Sequence, residues 1–300
     1  MTLPAIAPYV PTYASRAPYI TTAEYQTAPT AVDASNLVEG GTTANNVYEL
    51  NSVIGRASSW ADTICYQILA ATLDLQVGVY RVRNGMIHVP LDNTPVLAVT
   101  SVSTGWQVGQ LQALTDLSGV WIQRKVVTIP LLQLNALSPV YSTAALAPRG
   151  SVYAQVGYVN GWPNTTLSAA VTGGTGGATS LPLVDVLGIY PGTVLSIFDD
   201  YAFNEQVIVG PGYVPGATTV PIVSPLLGGH SAGVSVSALP PAIKQAVISL
   251  TSCLIKTRGN LAMVMASING GAGTIEDKTD GAVDDLGIAI DLLTPFRRVM

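Results

Sequence analysis

Apolar residues recur along this chain with two different periods. Between positions 43 and 75 they return every three or four residues, at Val47, Leu50, Ile54, Ala57, Ala61, Ile64, Ile68 and Leu69, a spacing that lines one face of an α-helix. Asn46 and Glu49 stand as an N-cap and N3 pair, so this helix is expected to begin near Asn46. Upstream, Thr21 and Glu24 have capping-box spacing and open a short helix that Pro29 must end. From 79 to 158 the pattern changes to short β-branched runs, at 79–83, 86–89, 96–103, 120–122, 125–131 and 151–158. Asn84-Gly85 between two of them predicts a two-residue hairpin, because both residues tolerate positive φ.

The run Gly173-Gly174-Thr175-Gly176-Gly177 reads as a flexible join. Beyond it, further strands are expected at 180–184, 193–198, 205–209, 218–222 and 234–237, separated by Pro and Gly turns, which suits a small β-sandwich or barrel. Helical spacing returns after Pro240-Pro241, with Ile243, Val247, Leu250 and Leu254 on one side, and again at Val283, Leu286, Ile290 and Leu293 before Pro295. The glycine-rich stretch 269–274 and the charged stretch 276–280 read as a mobile loop. The expected fold class is therefore α+β. A helical core, formed by the long N-terminal helix and the C-terminal helices, carries β-hairpins and an inserted small β domain. The expected division is an extended Pro-rich arm at 1–20, the core at 21–163 and 238–294, the inserted β domain at 164–237 and a short tail at 295–300.

Composition narrows the function. The chain is 48% hydrophobic and only 10% charged, well under the typical charged share of about 25%. Its surface must be covered by small polar residues or by neighbouring subunits. With a net charge of -5 and 13 scattered basic residues, it lacks the cationic patch that neutralises phosphates. The nearest clusters are Arg81/Arg83, Arg124/Lys125 and Arg297/Arg298. An acidic wall could still surround DNA without gripping it. The N-terminus has no secretion signal and no apolar run approaches a membrane span of about 18 residues, so synthesis in a reducing cytoplasm is expected. Cys65 and Cys253 then read as small buried hydrophobes.

Candidate chemistry is sparse. His88 alternates with apolar residues in a strand, and His230 lies in a Gly228-Gly229-His230-Ser231 turn, neither with a partner at motif spacing. The adjacent acid pairs Asp199-Asp200, Glu276-Asp277 and Asp284-Asp285 point in different directions and read as solvated turn or helix-end charges. No glycine run has phosphate-loop spacing, and Asn164-Thr165-Thr166 is a glycosylation pattern without meaning outside secretion. No catalytic residue, cofactor or metal is expected, and the chain reads as a non-enzyme.

Several segments resemble head-to-tail connector (adaptor) proteins of actinobacteriophage type. They are Tyr19-Ile20-Thr21-Thr22-Ala23-Glu24-Tyr25, Ile54-Gly55-Arg56-Ala57-Ser58-Ser59-Trp60-Ala61-Asp62 with Leu69-Ala70-Ala71-Thr72, Tyr158-Val159-Asn160-Gly161-Trp162-Pro163-Asn164-Thr165-Thr166-Leu167, and Leu239-Pro240-Pro241-Ala242-Ile243-Lys244-Gln245-Ala246. The ending Leu292-Leu293-Thr294-Pro295-Phe296-Arg297-Arg298-Val299 looks like that family's helix followed by an aromatic-Arg-Arg tail. The inserted β segment departs from the smallest, nearly all-helical adaptors. The resemblance implies a virion protein, assembled in the host cytoplasm as a ring, typically a dodecamer. Such a ring docks on the portal protein and meets a tail-side stopper or tail-terminator protein, with the capsid as a further partner, and genomic DNA passes through without sequence-specific binding. Within it, Pro295, Phe296, Arg297 and Arg298 would dock on the portal, and Val47, Leu50, Ile54, Ala57, Ala61, Ile64, Ile68, Val247, Leu250 and Leu254 would form the helical core and ring wall. Two other readings stay open. One is a carbohydrate- or surface-binding β module using Trp162, Tyr190, Tyr201 and Tyr213; the other is a tail-completion or minor capsid protein.

Overall fold

The computed structural model describes residues 17–30, 32–130, 150–199, 204–257 and 280–298. Most of the expected N-terminal arm and the expected loop at 269–274 and 276–279 lie outside them. Chain contacts divide the described residues into two compact units, one spanning Ala71–Gly161 and one formed by the described residues before Ala71 together with those from Trp162 onward.

In the first unit seven strands form one antiparallel sheet: β1 (Thr72–Arg83), β2 (Met86–Pro90), β3 (Val96–Gly105), β4 (Gln112–Ala113), β5 (Trp121–Gln123), β6 (Val126–Pro130) and β7 (Ser151–Asn160). Their spatial order is β4-β3-β7-β1-β2-β6-β5. The Asn84-Gly85 hairpin forms with φ of 52° and 73° at its two central residues and Arg83 opposite Met86, the backbone a primed turn requires. The sheet curls into half a barrel. Val102 and Leu114 from one side of it and Val127 and Ile129 from the other therefore share one core with Val82, Ile87, Val89, Val152, Ala154 and Val156.

One strand breaks the usual alternation. An antiparallel sheet with one face on a core turns apolar side chains inward and polar ones out. β7 does so with Val152, Ala154, Val156 and Tyr158. Its partner β1 is reversed. Leu73, Leu75, Val77 and Val79 face outward at 43%, 43%, 39% and 54% exposure, while Thr72, Asp74, Gln76 and Tyr80 share the inward face with those β7 residues. The inward polar groups are bonded. Asp74 Oδ2 accepts from the Nδ2 groups of Asn93 and Asn160, both at 2.6 Å. Gln76 donates to the Pro90 carbonyl and accepts from the Asp92 N–H.

In the second unit four helices, α1 (Thr22–Thr27), α2 (Thr43–Cys65), α3 (Pro241–Lys256) and α4 (Asp280–Leu293), share one apolar cluster. The Thr21/Glu24 capping box closes in both directions. α2 is capped by Thr42, whose side chain accepts from the Asn45 N–H. Asn46 is instead a buried clasp on the preceding loop, accepting from the Val38 N–H and donating to the Ser35 carbonyl. The remaining strands, β8 (Asn164–Thr166), β9 (Ser180–Pro182), β10 (Val194–Phe198), β11 (Glu205–Ile208), β12 (Thr219–Pro221) and β13 (Ser235–Ser237), make a four-stranded sheet and a two-stranded one over their own apolar core.

Two further expectations are overturned. The fold is not an α+β arrangement on a helical adaptor core: it is 33% strand and 26% helix, and the largest sheet encloses a core made without helical residues. The reason is local. Helical spacing predicts a helix within 43–75, but Tyr66 adopts left-handed φ (55°) and ends α2 at Cys65, after which Thr72-Leu73-Asp74-Leu75-Gln76-Val77 alternates with a period of two. The glycine run at 173–177 is no flexible join either. A Cβ on Gly173 would sit 2.0 Å from the Gly228 carbonyl carbon, and one on Gly177 would sit 2.3 Å from the Leu226 oxygen, so two backbones meet there at a distance only glycine allows.

This packing gives a direct expectation. Gly173→Ala should lower the unfolding free energy by about 2 kcal/mol or more through overpacking. Gly174→Ala, at φ +83° in open space, should cost about 1 kcal/mol from backbone strain alone. Urea unfolding of the two variants checks this; equal, small losses would return the run to a loose linker.

Candidate functional site

Asp199, Glu205 and His230 are far apart in sequence and meet at one end of the small β module. β10 ends at Phe198 and delivers Asp199, β11 opens with Glu205, and His230 is fixed by two backbone bonds with Val171. The imidazole lies between the carboxylates, Nε2 at 2.7 Å from Glu205 Oε1 and Nδ1 at 3.2 Å from Asp199 Oδ2, with its side chain fully buried. Glu205 also accepts the N–H groups of Leu227 and Gly228, and Asp199 accepts that of Ser231. Burial pushes the Glu205 carboxyl upward, but the Leu227 and Gly228 amides and His230 outweigh it, and the net shift is below the ordinary value.

Both ring nitrogens are taken by carboxylates and the ring has no access to solvent. It clasps the ends of β10 and β11 to the turn at 226–231. Among the described residues no group of three His, Cys, Asp or Glu side chains is placed to hold a metal ion. The clasp had no sequence signature, since its members lie 25 and 31 positions from the histidine.

His88 is exposed on β2, its Nδ1 3.1 Å from Thr128 Oγ1 across the strand pair. Cys65 and Cys253 are buried free thiols. Burial, with Asp62 near one and Asp285 near the other, pushes them up to about 12 and about 11, which removes the nucleophilic thiolate. Of the acid pairs, Asp285 bonds Lys256 at 2.7 Å, and Asp200, Glu276 and Asp277 lie outside the described residues.

The residues proposed for portal docking sit in a turn of 3-10 helix, Thr294–Phe296, and the two positions after it. Pro295 and Arg297 are exposed. Phe296 is half-buried, its ring edge-on to Trp162 with centroids 5.5 Å apart and planes at 84°. The Phe296 carbonyl accepts from Gln67 Nε2 at 2.7 Å, and the Arg298 N–H donates to the Cys65 carbonyl. The segment is therefore fastened to the end of α2. Of the residues expected in a helical core, Leu50, Ile54, Ala57, Ala61, Val247, Leu250 and Leu254 are buried in the helical cluster and Ile64 and Ile68 pack at its margin. Val47 stands outside at 42% exposure. The aromatics of the glycan-binding reading do not form an exposed row: Trp162 packs on Phe296, Tyr213 is buried, Tyr190 is half-buried and Tyr201 lies outside the described residues.

Against these geometries, comparison of the chain with protein-family models, curated proteins and solved structures finds no match.

The clasp sets a pH dependence. Because the folded Glu205 value is depressed, the stability it contributes is complete above the ordinary 4.5 and is lost as pH falls through the lower folded value. Between neutral pH and about pH 3 the wild type should lose more unfolding free energy than Glu205→Gln, which takes up no proton there. Urea titrations at both values test this, and equal losses would remove Glu205 from the account. The thiols give a second expectation. A thiol reagent should label neither Cys65 nor Cys253 in the native protein and both in denaturant, as counted by intact mass.

Proposed function

We propose that this chain is a non-enzymatic structural subunit of a tailed-phage particle, a head-to-tail connector that forms a ring between portal and tail. The observation that carries the reading is the reversed strand β1, which turns Leu73, Leu75, Val77 and Val79 to the outside. Antiparallel sheets put polar residues on the solvent side, and contiguous exposed apolar surface on a folded chain marks a contact with another molecule. The low charge points the same way, because a surface with 10% charged residues suits burial between subunits. The specific place in the particle rests on the resemblance of the segments named above.

In this reading the partners are the portal, a tail-side stopper or terminator, the capsid and further copies of the chain, with the genome passing through the ring. Because Phe296 is fastened to Trp162 and Gln67 of its own chain, Pro295 and Arg297 are the tail residues that meet the portal. The ring wall is not assigned to the helices.

The test is mass photometry of the purified chain alone and mixed with its matching portal. Rings, or monomers that form rings on the portal, are the expected result, and removing residues 295–300 should weaken the portal complex. A chain that stays monomeric and ignores the portal overturns the connector.

A further inference from the structure

The dipeptide Asn-Gly stands at 84–85, 160–161 and 269–270, the last of these outside the described residues. The other two belong to one sheet and have opposite surroundings. Asn84 and Gly85 are exposed at the tip of the β1–β2 hairpin. Neither the Asn84 side chain nor the Gly85 N–H hydrogen-bonds to a described residue, and a Cβ on Gly85 would meet no atom within 4 Å. Asn160 closes β7 at 1% exposure. Its Nδ2 is held by Asp74 Oδ2 at 2.6 Å, its Oδ1 accepts from Thr72 Oγ1 at 3.3 Å, and the Gly161 N–H donates to the Pro95 carbonyl at 3.0 Å.

That contrast bears on a reaction this dipeptide undergoes without a catalyst. The backbone nitrogen of the glycine, its proton given up to base, attacks the side-chain amide carbon of the asparagine. A C–N bond forms, the bond to the amide nitrogen breaks, ammonia leaves, and a cyclic imide remains. Water then opens the imide at one carbonyl or the other. One opening gives an ordinary aspartate, the other an isoaspartate whose main chain runs through the side-chain carbon. Glycine leaves the attacking nitrogen unhindered because it has no Cβ. A buried, bonded pair reacts only when the chain unfolds around it, whereas an exposed loop tip opens locally at little cost.

We propose that Asn84 is a site of spontaneous deamidation in the folded protein, and that the sheet shields Asn160 from the same reaction. The product alters the hairpin in two ways. Either acid places a carboxylate beside the exposed Arg83. Isoaspartate also lengthens the main chain, and the two-residue turn that sets Arg83 opposite Met86 has no slack to take it up. The tip of β1 and β2 then loses its register.

The full chain is aged in mildly alkaline water enriched in heavy oxygen, native and in urea, and mapped with a protease that keeps Arg83 to Met86 in one peptide. In the native chain Asn84 should become labelled aspartate and isoaspartate, while Asn160 converts at least about a hundredfold more slowly because it waits on unfolding. In urea the two rates should converge. Asn84 keeping its amide in the native chain, or Asn160 converting at a comparable rate there, overturns the proposal. Amide exchange reads the register. The aged chain should lose protection at Arg83 and Met86 that Asn84→Asp, with the same charge on an ordinary main chain, retains. Equal protection in the two overturns the loss of register.

Discussion

The first unit hangs on one register. β1 and β7 pair without interruption from Thr72 opposite Asn160 to Arg81 opposite Ser151, although those first partners lie 88 positions apart. A slip of one residue in such a pair sends every side chain to the other face. Here it would turn Val152, Ala154 and Val156 out of the core, or bring Leu73 and Leu75 into it while leaving the Asp74 carboxylate without its two amides. Asp74 bonded to Asn93 and Asn160 thus fixes more than a local contact. It makes the polar face of β1 the inward one and so decides that the strand's apolar face points away from the core. A half-buried carboxylate left without partners costs more than an exposed leucine, and that difference favours the arrangement.

The helical unit is held by a comparable economy of polar groups. The Tyr19 hydroxyl donates to Asp62 Oδ1 and accepts the N–H groups of Leu69 and Ala70, while the Tyr19 N–H donates to Ser58. The chain before α1 and the chain after α2 are joined through this one phenol, just where α2 has ended and its last turn leaves backbone groups to satisfy. Glu24 closes the capping box with one oxygen and binds Lys244 at 2.5 Å with the other, linking α1 to α3. A buried ion pair of this kind sets which helix faces which more than it adds net stability.

The chain encloses several of the side chains that could carry chemistry. Its histidine clasp is closed to solvent, its thiols are buried, and its tail aromatic packs against Trp162. What is turned outward on two separate sheets is apolar, Leu73, Leu75, Val77 and Val79 on β1 and Val194 and Ile208 on β10 and β11. The connector proposed above rests on that outward apolar surface.

Local signals were strong enough to be read directly where the physics is local. The Thr21/Glu24 box, the Asn84-Gly85 hairpin, Pro241 opening α3, and the strands at 151–158 and 193–198 each depend on a few adjacent dihedrals or on a simple period, and each stands close to its expected place. The end of α2 was not legible, because Ile64, Ile68 and Leu69 continue a helical spacing and nothing before Tyr66 announces its left-handed backbone. The direction of β1 was equally hidden. Alternation shows that Leu73, Leu75, Val77 and Val79 share a face, but which face meets the core depends on Asn93 and Asn160, residues brought there by the sheet. The same holds for the clasp of His230 and for the glycines at 173 and 177, whose neighbours are 25 to 56 positions away in the chain. Sequence by itself determined the segments and their amphipathic faces; tertiary structure alone decided which faces were buried, because burial is a relation between segments and no single segment contains it.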